Sequence, residues 1–125
     1  MICHELKLIF IHIPRTAGTS FEIAMIGKNW WDISPKTKHL TWQEAKAIYS
    51  TYWNDYYKVS ITRNPWDWLV SLYFSHSSVR AEHQKISWSD YARAPKLVKH
   101  EQPSCIQSEI IGEEVDFILR YESIN

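Results

Sequence analysis

The residues best suited to bind an anion lie close together in one segment: Arg15, Gly18, Thr19 and Ser20. The segment separates an apolar run from a stretch of helix formers. The first amides of a helix lack intrahelical acceptors, and the helix dipole adds partial positive charge at the same end. A glycine lets the backbone come close to a bound group, and a guanidinium matches the geometry of phosphate or sulfate. The segment therefore predicts a cradle for a phosphate-like anion.

A second pair of anion-binding residues, Arg63 and Ser71, follows a later apolar run. Asn64 and Pro65 predict the start of a helix, so Ser71 falls about two turns into it, roughly 10 Å along the axis. Arg63 can fold along this helix and hold one phosphate together with Ser71 through charge-assisted hydrogen bonds. Each residue alone has a structural alternative, which is an ion pair with Asp67 for Arg63 and burial in the helix for Ser71.

Three apolar segments predict the strands that must position these motifs: residues 6–13, 56–62 and 115–120. Helices are expected over residues 21–26, 42–49, 65–76, 87–94 and 104–111, the second of them after a capping box. In the helix after Asn64, one face carries Trp66, Leu69, Val70 and Tyr73, the pattern of an amphipathic helix. Residues 28–40 show no clear period and are expected to be a loop with a short strand.

Strands that alternate with helices predict an α/β fold, here a three-layer P-loop-type architecture with a central parallel sheet flanked by helices. The length fits a single domain over residues 1–125. In a parallel sheet both anion motifs open at the carboxyl ends of their strands, where ligands of such folds bind.

The overall charge excludes some classes of partner. Fourteen basic and fourteen acidic side chains cancel, so no global field directs the chain to nucleic acid or to a membrane surface. Cys3 and Cys105 match no metal or redox spacing, and the histidines show no zinc-type spacing with them. We therefore expect no metal. No apolar run approaches the roughly 20 residues of a membrane span, and no signal peptide is visible, so a cytoplasmic location is expected.

The first segment differs from the phosphate-binding loop of nucleotide kinases. That loop has lysine where this chain has Thr19 and glycine where it has Ile13. No convincing Mg²⁺-binding aspartate follows a strand. A small P-loop kinase therefore remains only an alternative.

Two motifs resemble those of PAPS-dependent sulfotransferases that act on carbohydrates. The first, usually close to H-x-P-K-T-x-G-T-S, corresponds to Ile11-His12-Ile13-Pro14-Arg15-Thr16-Ala17-Gly18-Thr19-Ser20. In the family it binds the 5'-phosphosulfate of PAPS (3'-phosphoadenosine-5'-phosphosulfate). The second, R-[ND]-P followed by a serine, corresponds to Arg63, Asn64, Pro65 and Ser71, and binds the 3'-phosphate. The resemblance is firm over residues 8–75 and loose over 105–124, where Gln107 and residues 116–122 resemble the closing strand.

The resemblance implies transfer of the sulfuryl group of PAPS to an acceptor hydroxyl, of a carbohydrate, with release of PAP. It assigns donor binding to Pro14, Arg15, Thr16, Ala17, Gly18, Thr19, Ser20, Arg63 and Ser71. Arg15 stands where the family usually has lysine, which helps neutralise the bridging oxygen of the leaving group. Arginine keeps the charge on a larger, rigid fork, so donor binding should survive better than rate.

The resemblance also implies a catalytic base. His39 lies where the heparan sulfate 2-O and 6-O enzymes place their catalytic histidine, and Asp32 is the rival because other branches use a carboxylate from this region. A solvated loop histidine is the structural alternative for His39. His12, inside the first apolar run, is interpreted as a structural, hydrogen-bonded residue.

An alternative hypothesis, outside the enzymes, is a non-catalytic module that binds PAP or another nucleotide. Members of the family usually continue beyond the position of Asn125, so the fold is expected to be short at its C-terminus. We expect weakened adenine recognition, slow turnover, and an apolar sheet face that favours self-association.

Overall fold

The computed structural model describes residues 1–75, 87–93 and 106–124. Its strands are β1 (Ile2–Cys3), β2 (Leu8–Ile11), β3 (Tyr57–Thr62) and β4 (Phe117–Arg120). Its helices are α1 (Gly18–Ile26), α2 (Trp30–Ile33), α3 (Trp42–Ile48), α4 (Pro65–Tyr73), α5 (Trp88–Arg93) and α6 (Gln107–Ile111). Short 3₁₀ turns cover Pro35–Thr37 and Tyr121–Ser123.

The four strands form one sheet in the order β1-β2-β3-β4. The three strands predicted from the sequence are parallel, with Ile11 opposite Ser60 and Thr62 opposite Arg120. The sheet is not wholly parallel as expected, because the short β1 adds an antiparallel edge next to β2. Two residues carry too little pattern to reveal such a strand.

Apolar side chains fill both faces of the sheet, which confirms the three-layer architecture. On one face Ile9 and Ile11 pack in a cluster with residues of α3, α4 and α6. On the other face Phe10, Val59 and Ile61 pack with Trp30 of α2, and with Phe21 and Ile26 of α1. The alternation of neighbours such as Ile9 and Phe10 follows from the period of two along a strand.

The caps predicted from the sequence are present. The Thr41 hydroxyl accepts from the amide of Glu44, whose carboxylate accepts from the Thr41 amide, as in a capping box. Asn64 caps α4 through its side chain, and Gly27 ends α1 in the left-handed conformation, with φ 70°. These local signals therefore fixed the positions of three helices.

Two expectations about the helices were wrong. Residues 28–40 contain α2 and a 3₁₀ turn rather than a strand, because Asn29 accepts from the amide of Trp31 and starts a helix there. The buried face of α4 carries Trp68 and Leu72, whereas Trp66 is 71% exposed. Helices α5 and α6 lie inside the two predicted segments. Of the other predicted residues, 87 and 106 are not helical, and 94 and 104–105 are outside the described part of the chain.

Candidate functional site

The two anion motifs meet at the carboxyl edge of the sheet. The loop after β2 runs alongside α4, and two side-chain contacts join them. The indole Nε1 of Trp68 donates to the carbonyl of Pro14 over 2.7 Å, and Nε of Arg15 donates to Oγ of Ser71 over 3.0 Å. Since Trp68 and Ser71 are three residues apart, they share one face of α4. That face holds the first loop in a fixed position beside the second motif.

The first loop has an unusual backbone conformation. Arg15 and Ala17 both have a φ of 65°, in the left-handed region that most residues avoid. Such residues cost about 1–3 kcal/mol each and concentrate at functional sites. The Thr16 hydroxyl donates to the carbonyl of Ile13 over 2.8 Å, and its side chain is fully buried. The side chain of Thr16 therefore shapes the loop, and only its backbone is left for the ligand binding expected of it.

The N-terminus of α1 is open to a ligand. Its N-cap, Ala17, makes no side-chain cap, and the first hydrogen bond of the helix runs from the Phe21 amide to the Ala17 carbonyl. The amides of the preceding turn therefore point outward without intrahelical acceptors. Position 18 must be glycine, because an added Cβ would lie 2.3 Å from the ring of His12.

A cavity of about 260 Å³ lies in front of this helix end. It is lined by His12, Arg15, Ala17, Gly18, Thr19, Arg63 and Tyr121. Typical small-molecule sites are about 300–1,000 Å³, so this cavity fits the anionic part of a larger ligand. Among the predicted donor-binding residues outside the lining, Ser71 accepts from the lining residue Arg15, and the Pro14 carbonyl accepts from Trp68 of α4. Ser20 is exposed on the first turn of α1.

Arg63 is held rigidly at the side of this cavity. The Gln107 side chain both accepts from the Arg63 amide over 2.9 Å and donates to its carbonyl over 2.8 Å. The guanidinium donates through Nη1 to the Arg15 carbonyl and lies 4.4 Å from the centre of the Tyr121 ring. Its Nε is buried without an acceptor in the described part of the chain. Asp67, the alternative partner, is not among its contacts there.

A buried donor without an acceptor costs about 1–3 kcal/mol, and the Arg63 Nε is such a donor in the described part of the chain. Gln107 and Tyr121 were not predicted as site residues. Their segments show only a loose resemblance to the family, and their roles depend on contacts with Arg63, which is far from them in the sequence.

A buried charged cluster adjoins the cavity, and of its members only His12 was expected from the sequence to be a structural, hydrogen-bonded residue. Nδ1 of His12 is 2.7 Å from Oε1 of Glu22, and Lys38 donates to Oε2 over 2.6 Å. Lys38 also donates to Oδ1 of Asn29, and the Trp30 amide donates to Oε2 over 3.2 Å. The side chains of Glu22 and Lys38 are almost fully buried. Every oxygen of this carboxylate is thus engaged.

Burial opposes the ionisation of Glu22, but the hydrogen bonds from His12 and Lys38 outweigh it and lower the pKa of Glu22 to about 2. Burial lowers the pKa of His12, even though Glu22 beside it acts in the opposite direction. At neutral pH the cluster therefore holds an ionised Glu22, paired with Lys38, and a neutral His12.

Comparison with protein families identifies the family to which the chain belongs. The model of the Sulfotransferase family matches residues 1–116, nearly the whole chain. The chain belongs to the sulfotransferase family. Comparison with curated proteins and with solved structures found no match. The family match supports sulfuryl transfer as the general reaction, and sulfotransferases generally use PAPS as donor.

In this sulfotransferase, His39 is separated from the cavity by the ring of His12, which is one of the lining residues. It is half-buried, and its imidazole packs edge-on against His12, with ring centroids 4.8 Å apart, and against Trp31 at 5.3 Å. Asp32, the rival base, is exposed on α2. The structure thus brings His39 against His12, which lines the cavity and belongs to the buried cluster, whereas neither His39 nor Asp32 is part of the cavity lining.

Among the described residues of the sulfotransferase, no group of three or more His, Cys, Asp or Glu side chains is arranged to hold a metal ion. Within the same residues, no helix has both the length and the apolar character needed to cross a membrane.

Proposed function

We propose that this sulfotransferase transfers the sulfuryl group of PAPS to a hydroxyl of a carbohydrate, leaving PAP and a sulfate ester. The observation that carries the proposal is the junction of the two motifs, in which Arg15 of the first loop bonds Ser71 of α4. PAPS has a 5'-phosphosulfate and a separate 3'-phosphate. Two anion-binding motifs fixed against each other match that donor better than one isolated cradle does.

The residues divide into two subsites. The amides at the start of α1, near Gly18 and Thr19, are suited to the 5'-phosphosulfate. Arg63 and Ser71 are suited to the 3'-phosphate, because a guanidinium and a hydroxyl donate to the same group. The positive charge of Arg15 near the first loop favours departure of the phosphate, whose negative charge grows as the bond to sulfur breaks.

The acceptor hydroxyl attacks sulfur while the bond between sulfur and the bridging phosphate oxygen breaks. The hydroxyl proton passes to a base, and PAP leaves with the bridging oxygen. We assign the base to His39, with Asp32 as the alternative. A base within hydrogen-bond reach contributes about 10²–10⁴-fold.

Binding of PAP provides the direct test. At a hundredfold excess over its Kd, PAP should raise the free energy of unfolding by about 2.7 kcal/mol. Arg63→Ala should remove most of this stabilisation, because the 3'-phosphate loses its charged partner. The measurement is a thermal-shift titration with PAP, with adenosine 5'-phosphate as the control that lacks the 3' group. Equal protection by the two ligands would contradict the 3' subsite, and stronger protection by ATP-Mg²⁺ would favour the kinase alternative.

Turnover separates the enzyme from a non-catalytic nucleotide-binding module. Incubation with radiolabelled PAPS and a panel of glycans should transfer label to at least one glycan. Binding of PAP without transfer to any acceptor would support the module.

We also propose that the chain self-associates through β4. The outer edge of this strand pairs with no described strand, and Phe117 and Ile118 are 50% and 47% exposed. Exposed apolar edge strands are sites of strand pairing, which a charged side chain prevents. Light scattering should show concentration-dependent association that Ile118→Lys reduces. Ile48→Lys, at a similarly exposed position on α3, is the control, and an equal effect of both variants would argue against β4 as the contact.

A further inference from the structure

The guanidinium of Arg15 is not directed only at its own loop. Its Nε donates to Ser71, which belongs to the second motif, while its carbonyl accepts from Nη1 of Arg63. Arg15 therefore contacts both residues that the second motif supplies for an anion. Its terminal nitrogens have no described acceptor, and the residue lines the same cavity as Arg63.

The chemistry of arginine makes this double contact possible. A guanidinium has five donors in a rigid fork, so one nitrogen can hold Ser71 while the two terminal nitrogens face an anion. Ser71 accepts from Arg15 and keeps its own hydroxyl hydrogen as a donor. A lysine, which has a single nitrogen at its end, cannot hold the serine and also present a planar fork.

We propose that Arg15 is a specificity residue for the 3'-phosphate of the donor, acting together with Ser71 and Arg63. The inference rests on the proposed function and deepens it, because it gives the first loop a part in recognising both ends of a 3',5'-bisphosphate. The guanidinium groups of Arg63 and Arg15 then together distinguish such a nucleotide from a 5'-monophosphate. The contact with Ser71 fixes the position of the Arg15 guanidinium.

Calorimetric titration tests the proposal on the purified chain without requiring turnover. The ligands are PAP, adenosine 3'-phosphate and adenosine 5'-phosphate, each titrated into the wild type, Arg15→Lys, Ser71→Ala and the double variant. Arg15→Lys should weaken PAP and adenosine 3'-phosphate about tenfold, the scale of a charge-assisted hydrogen bond, and adenosine 5'-phosphate less than twofold. Because Arg15 acts through its position on Ser71, the two substitutions should be non-additive, and the double variant should resemble Ser71→Ala.

Arg93→Lys, an equally conservative change at an exposed arginine outside the cavity lining, should leave all three affinities unchanged. Equal weakening of PAP and adenosine 5'-phosphate by Arg15→Lys would overturn the proposal and restrict Arg15 to the 5' side, while leaving the proposed function intact. Additive losses in the double variant would also overturn it. A wild type that binds no PAP would overturn both the proposal and the proposed function.

Discussion

Glu22→Gln is expected to lower the free energy of unfolding by about 3–5 kcal/mol, the usual cost of removing one partner from a buried ion pair. The substitution leaves the Lys38 ammonium almost fully buried without an anionic partner, beside Oδ1 of Asn29, the Trp31 ring and a neutral amide. It also removes the charged acceptor of His12. Urea unfolding at pH 7 measures the loss. Glu5→Gln, at an exposed position, is the control and should change stability by less than about 0.5 kcal/mol.

A double variant separates the charge from the shape of the side chain. Glu22→Gln with Lys38→Met removes both charges and nearly preserves the volume. Since replacing a whole buried pair is often neutral, the double variant should recover a large part of the lost stability. If the double variant is no more stable than Glu22→Gln alone, an unpaired Lys38 is not the cause of the loss.

The same residue predicts how stability depends on pH. The folded-state pKa of Glu22 is about 2, below the roughly 4.3 of an unfolded glutamate, so its contribution is complete above about pH 4.3 and is lost as the pH falls towards 2. Burial lowers the pKa of His12, so its effect on stability appears at higher pH. Its contribution to the free energy of unfolding declines as the pH falls below about 6.5, where the unfolded histidine takes up a proton and the folded one does not. Urea unfolding at several pH values should show both losses, and Glu22→Gln should abolish the lower one.

The features that could be predicted from the sequence depend on local signals. The Thr41 capping box, the Asn64 cap and the strand before Arg63 are each encoded within a few consecutive residues, and all are present. The parallel pairing of β2 with β3 followed from the alternation of strands and helices. It brought the two motifs to the same edge of the sheet, where Arg15 contacts Ser71.

The features that the sequence did not reveal depend on contacts between distant residues. Glu22 lies among helix formers, and Lys38 lies in a segment of mostly polar residues. The neighbouring sequence therefore does not indicate that either side chain is buried. The buried face of α4 is determined by the loop that Trp68 contacts. The spacing of apolar residues in the sequence predicted a different face of the helix as the buried one. Gln107 contacts Arg63 across 44 positions of the chain. Periodicity and caps contain no information about such partners.

The buried cluster also bears on catalysis, because Lys38 immediately precedes His39 and His12 packs against the His39 ring. Two neighbours of His39 are therefore fixed by Glu22, the first through an ion pair and the second through a hydrogen bond. A catalytic base must be held in a defined orientation. The surroundings of His39 meet that requirement better than those of Asp32, which is exposed on the short helix α2.

His39→Ala is expected to lower kcat by about 10²–10⁴-fold while leaving the affinity for PAP within about twofold, because the base acts on the acceptor hydroxyl and not on the donor. Radiolabelled PAPS with the best glycan acceptor measures kcat, and calorimetry measures PAP binding. In the wild type the acidic limb of the rate profile should reflect protonation of the His39 imidazole. His4→Ala, at an exposed histidine that contacts Tyr52 and Tyr56, is the control and should retain full activity.

Full activity in His39→Ala, together with a loss of activity in Asp32→Asn, would transfer the role of the base to the Asp32 carboxylate. A parallel loss of PAP affinity in His39→Ala would instead show that the ring supports the donor site through His12, against which it packs.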